Sequence, residues 1–567
     1  MGEDGGGRGC GTPRELQKLK QQALEYYREN DVPRRLEELL NSTFYLQPAD
    51  VYGHLANCFS KLAKPPTICR VVGKKVLDGL GLPTLQVEIF CTIQNFPKNI
   101  CSVVIATHFE VHETTFPELA EAEEVERSDA VSTAIQWVNE SITQELQGIA
   151  PSNQAQVDQV LRTFFENKVQ EDKERKELEK SLEESTVPVS LPLIPPPPPP
   201  PAKKKGPKQG LKDTLTEKPM IPPEPVEPVL CGSMAIGAVS LAVAKTSALL
   251  GSNPLYVNIA LLKHPQEQPT KLAIPSLMVS LVSCGKSSPG KLNLMKEVIC
   301  IPHPGLTAKQ GVEMLMEIQK QINKTIEMPP PPKTEPKKGH NGGKRGQSKG
   351  KYEVMTGTHK TAAEMVDLYV DLIGKFPSII AIIDPFRKED AEQWDSIYNA
   401  LGSRCYIIAG SASKSISKLL EDGNISIPKS SGLIIKHTNQ TTMSDLVEIT
   451  NLIDSKKHIA IFGSADGESS DGSLVDLAVG LGVRFIKLGG LSRGERVTKY
   501  NRLFTIEEEL VQNGTLGFNE GYTFPDLNKD DDTAAESREA AAEVAGELRE
   551  PPQPIFPTEA GEESAKA

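Results

Sequence analysis

Two lysines stand where short apolar runs give out. In GLIIKHTNQ the run from Gly432 reaches Lys436, and in RFIKLGG the run from Arg484 reaches Lys487. A single lysine at a strand end is ordinarily a solvated tip. Two around one rim suit an anionic ligand or the abstraction of a proton, because the ammonium is a compact charge and the neutral amine a base. A third stretch, AIIDPFRKEDAEQW, carries an apolar run to Ile383 and Asp384 before a charged helix. The histidine beside Lys436, His437, reads as a loop residue with no chemical role.

The elements that must position these groups repeat. Apolar strand candidates begin near Ile379, Cys405, Gly432, His458 and Arg484, at spacings of 26, 27, 26 and 26 residues, and each gap holds an amphipathic helix such as AEQWDSIYNALG or TMSDLVEITNLID. Strand-helix units of this period, with strands apolar on both faces, are expected to close into an α/β barrel. Active groups in such barrels project from the C-terminal strand ends. Those ends fall at Ile383 and Asp384, Gly410 and Ser411, Lys436, Ser464, and Lys487.

At 567 residues the chain has room for several folding units. A net charge of -12 opposes nucleic acid as the main partner. The nine cysteines are scattered without a CxxC pair, so reduced thiols are expected in place of a disulfide scaffold or zinc site. The longest apolar stretch, Met234 to Leu250, is rich in Ala, Gly and Ser, contains Lys245, and reads as a packed helix and not a membrane span. No signal peptide opens the chain, so a cytoplasmic location is expected.

Pro195 to Pro201 form an unbroken run inside 187–228, an extended linker by composition. A shorter Pro/Lys-rich stretch fills 328–351, and an acidic, Ala-rich tail closes the chain. Between Arg14 and Ala63, Leu16, Leu19, Ala23, Leu24 and Tyr27 recur at helical spacing, as do Leu36, Leu39 and Leu40 behind Pro33, and Val51, Leu55 and Phe59 behind Pro48. So small a unit gains stability by dimerising or docking. From Arg70 to His108 the pattern alternates, as in an antiparallel meander, with helices expected over 129–147 and 166–184.

Two resemblances follow from quoted segments. VPRRLEELL followed by LQPADVYGHLANCFSKL resembles the RIIα/DPY-30 dimerisation and docking family, which implies a homo-oligomer, an amphipathic anchoring helix as partner at 14–63, and attachment to a cytoskeletal or ciliary/flagellar structure. CGSMAIGAVSLAVAKTSALLGSNPLYVNIA, LMKEVICIP, IIDPF, GLIIKHTNQ and above all IKLGGLSRGERVTKYNRLFTIEEEL resemble the enolase family.

The enolase resemblance implies an α+β capping domain followed by a (βα)8-type barrel, and the interconversion of 2-phosphoglycerate and phosphoenolpyruvate with Mg²⁺. By position, the proton-accepting lysine falls on Lys436, the substrate-binding lysine on Lys487, and the glutamate of the family's Gln-Glu pair, also substrate-binding, on Glu297, where Lys296 replaces Gln. The expected ligand is a small phosphorylated carboxylate. Two metal-ligand positions hold Ile383 and Gly410, which have no side-chain oxygen. The family's His-Arg-Ser cluster appears as Ser464, Ala465 and Asp466, and the serine of its mobile loop as Gly79. A further metal aspartate and a catalytic glutamate belong where 328–351 stands, so about one βα unit is expected to be missing. Impaired catalysis, or an inactive scaffold or metabolite sensor positioned by the N-terminal unit, follows. The expected domains are 1–66 (helical docking unit), 67–186 (α+β cap), 187–228 (linker), 229–520 (barrel with the 328–351 insert) and 521–567 (acidic disordered tail).

Overall fold

The structure, a computed structural model, describes residues 13–107, 117–185, 229–267, 269–284, 295–327, 351–355, 358–425, 428–465, 467–518 and 521–524. The expected linker at 187–228, almost all of the 328–351 insert, the tail beyond 524, His108 and Asp466 lie outside these residues.

The N-terminal unit is three helices, α1 (Pro13–Glu29), α2 (Val32–Leu46) and α3 (Val51–Leu62). Asp50 caps α3 by accepting from Gly53 N at 2.8 Å. The stripes read from the sequence are helical but largely face outward, with Leu39 and Leu55 half-buried. Leu16, Leu19 and Leu24 are each about two-thirds exposed, and α1 and α3 bury no residue.

Strands β1 (Thr67–Leu77), β2 (Pro83–Ile93) and β3 (Phe96–Val104) form the expected antiparallel meander with β2 central. The helix expected at 129 starts twelve residues earlier, as α4 (Pro117–Gln136), because Glu- and Ala-rich chain is helical without needing an apolar stripe. It continues through a π turn (Trp137–Ile142) into α5 (Thr143–Leu146). The second charged helix also begins twelve residues early, as α6 (Gln154–Ser185), where Asn153 Oδ1 accepts from Gln156 N.

The stretch read as a packed helix is α7 (Met234–Leu250), whose Ala, Gly and Ser positions let it run almost wholly buried between cap and barrel. Then come α8 (Leu255–Lys263), β4 (Leu272–Ala273), β5 (Ser276–Ser283), β6 (Glu297–Cys300), α9 (Ala308–Glu327), the hairpin β7 (Tyr352–Met355) and β8 (Thr358–Lys360), and α10 (Ala362–Lys375). The repeat follows: β9 (Ala381–Ile383), α11 (Ala391–Leu401), β10 (Tyr406–Ala409), α12 (Ile416–Asp422), β11 (Gly432–Ile435), α13 (Met443–Ser455), β12 (Ile459–Gly463), α14 (Ser473–Gly480), β13 (Phe485–Gly489), α15 (Gly494–Gln512) and β14 (Leu516–Gly517). The periodic strands begin within two residues of their expected positions. Among the described residues no single helix is long and apolar enough to cross a membrane.

Among the described residues the barrel sheet holds seven strands in the order β6-β5-β13-β12-β11-β10-β9. All pairs are parallel except β5 with β6, which is antiparallel. No pairing joins β6 to β9. The interior is filled by Met278, Tyr406, Ile408, Ile461 and Phe485, with Tyr522 and Phe524 packed against them. Tyr406 Oη donates to Thr523 O at 2.6 Å, and Tyr522 Oη donates to Pro302 O at 3.0 Å, just past β6. Tyr522 and Phe524, beyond the boundary expected at 520, therefore pack on the barrel interior.

Candidate functional site

The rim formed by the C-terminal ends of the barrel strands carries the residues singled out in the sequence. Lys436 follows β11 directly and is exposed. Its stem runs beside Gly463 of β12, where an added Cβ would lie 3.7 Å from Lys436 Cγ, 3.8 Å from Cε, and only 2.9 Å from Ile434 Cγ2. Gly463 thus adds no side chain of its own beside Lys436, where Ile434 already packs, and it pairs in register with Lys487 on β13. Lys487 is the third residue of its strand, not its end.

Glu297, the first residue of β6, reaches across β5 to Lys487, with Oε2 and Nζ 2.9 Å apart and both side chains about a quarter exposed. Such a partly exposed pair contributes ~1 kcal/mol or less, so a competing anion can open it cheaply. Lys436 and Lys487 are two strands apart, roughly 10 Å across the sheet. Among the described residues no carboxylate pairs with Lys436. Ser464 turns inward: its amide and hydroxyl both donate to Lys487 O, at 3.1 and 3.4 Å.

His437 departs from its reading as a bland loop residue, because it is buried against α7. Gly237 N donates to Asn439 O at 3.0 Å, and a Cβ on Gly237 would lie 3.2 Å from His437 Nε2. Burial pushes the imidazole pKa down to about 4, so the ring that anchors the Lys436 loop is neutral.

Sequence reasoning missed a second layer of charge. Lys499, 2% exposed, donates to Glu468 Oε2 at 2.6 Å, Ser469 O at 2.7 Å and Glu495 O at 3.0 Å, and Arg496 Nε lies 3.3 Å from Glu468 Oε1. This cluster holds down the cap loop after β1. Gly79 N donates to Glu468 O at 2.8 Å and Arg493 Nη2 donates to Gly79 O at 3.2 Å. A Cβ on Gly79 would fall 2.7 Å from both Glu468 O and Glu495 Cδ, so the loop is seated where only glycine fits. The signal was present in LSRGERVTKY, but its partners lie 31 positions upstream of Lys499 at Glu468 and 414 positions upstream of Arg493 at Gly79.

Among the described residues, the family's two ligand positions named above do not offer a metal site. Ile383 points into the barrel interior and Gly410 has no side chain. The nearby carboxylate, Asp384, already accepts from Gly410 N (2.8 Å), Ser411 N (2.9 Å), Ser411 Oγ (2.9 Å) and Ala412 N (3.2 Å). Mg²⁺ demands a near-octahedral set of free oxygen donors, and these residues do not supply one.

Residues 344–522 match the family model described as the enolase C-terminal TIM barrel domain. The chain is 73% identical to Enolase 4 of Homo sapiens over 624 aligned residues, covering all of this chain and 99% of that protein. It is 64% identical to Enolase 4 of Mus musculus, with all of both chains covered, and 46% identical to Enolase 4 of Xenopus laevis, with 91% and 96% covered. The human alignment runs 57 positions beyond this chain's own 567.

Proposed function

The chain belongs to the enolase family, and on that premise we propose that its barrel mouth binds a small phosphorylated carboxylate through lysines, with the family's dehydration of 2-phosphoglycerate to phosphoenolpyruvate impaired. The observation that carries this reading is the arrangement of Lys436 and the Lys487–Glu297 pair on one rim beside positions that cannot ligate a cation. Lys487 receives the anionic end of the ligand as Glu297 yields. Lys436, beside Gly463, is placed to take the proton next to the ligand's carboxylate. Glu297, once released from Lys487, is the group that carries a proton to the departing hydroxyl, which leaves as water.

Loss of cation stabilisation removes several kcal/mol from the enediolate, and each 1.36 kcal/mol is a factor of ten, so turnover is about 10²–10⁴-fold below that of a metal-loaded family member. The test is to follow phosphoenolpyruvate formation by ultraviolet absorbance with the full chain, with and without Mg²⁺, beside Lys436→Ala, together with calorimetric binding of 2-phosphoglycerate. Metal-independent binding that is lost in Lys487→Ala, with slow or absent turnover, supports the reading. Mg²⁺-dependent turnover that vanishes in Lys436→Ala sinks it.

The scaffold reading is favoured by the outward-facing stripes of α1 to α3. In it, these helices pair with a second copy and receive an amphipathic anchoring helix, holding the barrel at a cytoskeletal or ciliary structure in the cytoplasm. Sedimentation of the full chain as a dimer, and as a monomer after Leu24→Glu with Leu40→Glu, supports this; a monomeric wild type removes it. The reading also includes a barrel that lacks one βα unit near 328–351, supported by the edges of β6 and β9, unpaired among the described residues, and by the additional aligned positions in the human relative.

A further inference from the structure

The mismatch between Mg²⁺ and the rim has a positive counterpart in Asp384. This residue follows β9, precedes Pro385, and has φ 48°. A non-glycine residue before proline strongly prefers extended backbone, so the conformation is strained and something must hold it. Its carboxylate does. Oδ1 accepts from the amides of Gly410 and Ala412, Oδ2 accepts from the amide and hydroxyl of Ser411, and its own amide donates to Ile408 O at 3.0 Å.

Three successive amides after β10 therefore converge on one carboxylate. Converging backbone N–H groups make a concavity that favours anions and opposes cations. Both oxygens are saturated by donors, so a divalent ion would have to displace N–H groups whose dipoles repel it. The neighbours are consistent with this state. A Cβ on Gly410 would lie 2.9 Å from Asp384 Oδ2, 3.2 Å from Ile434 Cδ1 and 3.5 Å from Ile383 Cγ2, so residue 410 must be small for the carboxylate to seat. Ile383 fills the barrel interior with a side chain that has nothing to ligate.

We propose that the Asp384 carboxylate, seated in the amides of residues 410–412, does the structural work of a divalent ion here: it ties the ends of β9 and β10 together and makes the rim independent of metal. A single return to an acidic residue at 410 then breaks the tie without creating a cation site. The proposal does not depend on whether the barrel turns over substrate.

The test is thermal unfolding of the full chain, with MgCl₂ or with EDTA. The wild-type barrel midpoint is expected to agree within ~1 °C in the two conditions. Asp384→Ala lowers it by about 5–10 °C, and Gly410→Asp lowers it with no recovery on adding Mg²⁺. Should Asp384→Ala not fold, Ser411→Ala removes a single donor and gives a smaller fall of the same kind. A saturable Mg²⁺-dependent rise of the wild-type midpoint, or an Asp384→Ala midpoint equal to wild type, overturns the proposal.

Discussion

Acidification should loosen the loop that carries Lys436, because that loop is anchored by a histidine that cannot easily be charged. Burial against α7 depresses the His437 pKa from 6.5 to about 4. A depressed pKa in the folded state means the unfolded chain binds the proton more tightly. The stabilising contribution is thus complete above pH 6.5 and is lost as pH falls toward 4. Integrated over that window it amounts to about 2 kcal/mol by pH 5 and ~3 kcal/mol by pH 4. Other groups titrate nearby. His458 is also depressed by burial and adds loss of the same sign, whereas buried Asp158 is raised and acts oppositely. The comparison that isolates His437 is urea unfolding of wild type and His437→Gln, read by the fluorescence of Trp137 in the cap and Trp394 in the barrel. His437→Gln costs stability at neutral pH through altered packing, but its stability should fall less steeply on acidification, by about 2 kcal/mol between pH 7 and 5. Parallel pH profiles for the two proteins, or a His437 ring that titrates near 6.5 by NMR, would refute the reasoning.

Three further outcomes follow from the packing. Gly79→Ser forces a Cβ to within 2.7 Å of Glu468 O, so the cap loop lifts, ~1–3 kcal/mol is lost, and limited proteolysis cuts near residue 79 where wild type resists. Tyr522→Ala and Phe524→Ala each remove an aromatic packed on the barrel interior; each should cost roughly 2–3 kcal/mol and raise binding of a hydrophobic dye, and unchanged unfolding would place this segment outside the core. Asp158 accepts from Gln154 Nε2, Ser240 Oγ, Ser444 N and Ser444 Oγ, tying α6 and α7 to α13. An amide nitrogen in Asp158→Asn faces only donors, so calorimetry should show about 1–3 kcal/mol lost and cap and barrel unfolding separately.

What the sequence disclosed depended on how local the cause was. The barrel strands from β9 to β13 were legible because burial on both faces makes them continuous apolar runs, and helices with their own caps set the period between them, as with the Thr442–Asp445 capping box of α13. The starts of α4 and α6 were not, because exposed Glu- and Ala-rich turns extend a helix without leaving an apolar stripe. Lys436 and Lys487 stood out at strand positions, while Glu297, on the antiparallel β6, was reached through family resemblance alone. Gly79, Lys499 and Glu468 were invisible as a group: each is ordinary in its local context, and only the docking of cap on barrel makes them one network. The outward direction of the Leu16, Leu19 and Leu24 stripe was equally hidden, since periodicity reports that a face is apolar and not what covers it.

The charges of the rim follow one rule that the individual contacts do not reveal. Glu297 is balanced by Lys487, Asp384 by the amides of residues 410–412, and Glu468 by Lys499 and Arg496. Each of these three carboxylates is thus satisfied from within the chain. Lys436 is different, because among the described residues it has no carboxylate to offset it. A rim built to hold metal would carry surplus negative charge awaiting an ion; on the function proposed above, the described part of this one suits an anion instead. Binding of a phosphorylated carboxylate should therefore weaken with rising ionic strength, be indifferent to chelators, and become tighter in Glu297→Gln, which frees Lys487 as a second cation. If Glu297→Gln instead weakens binding, the pair is part of the ligand's seat and not its competitor, and the charge argument fails at its central contact.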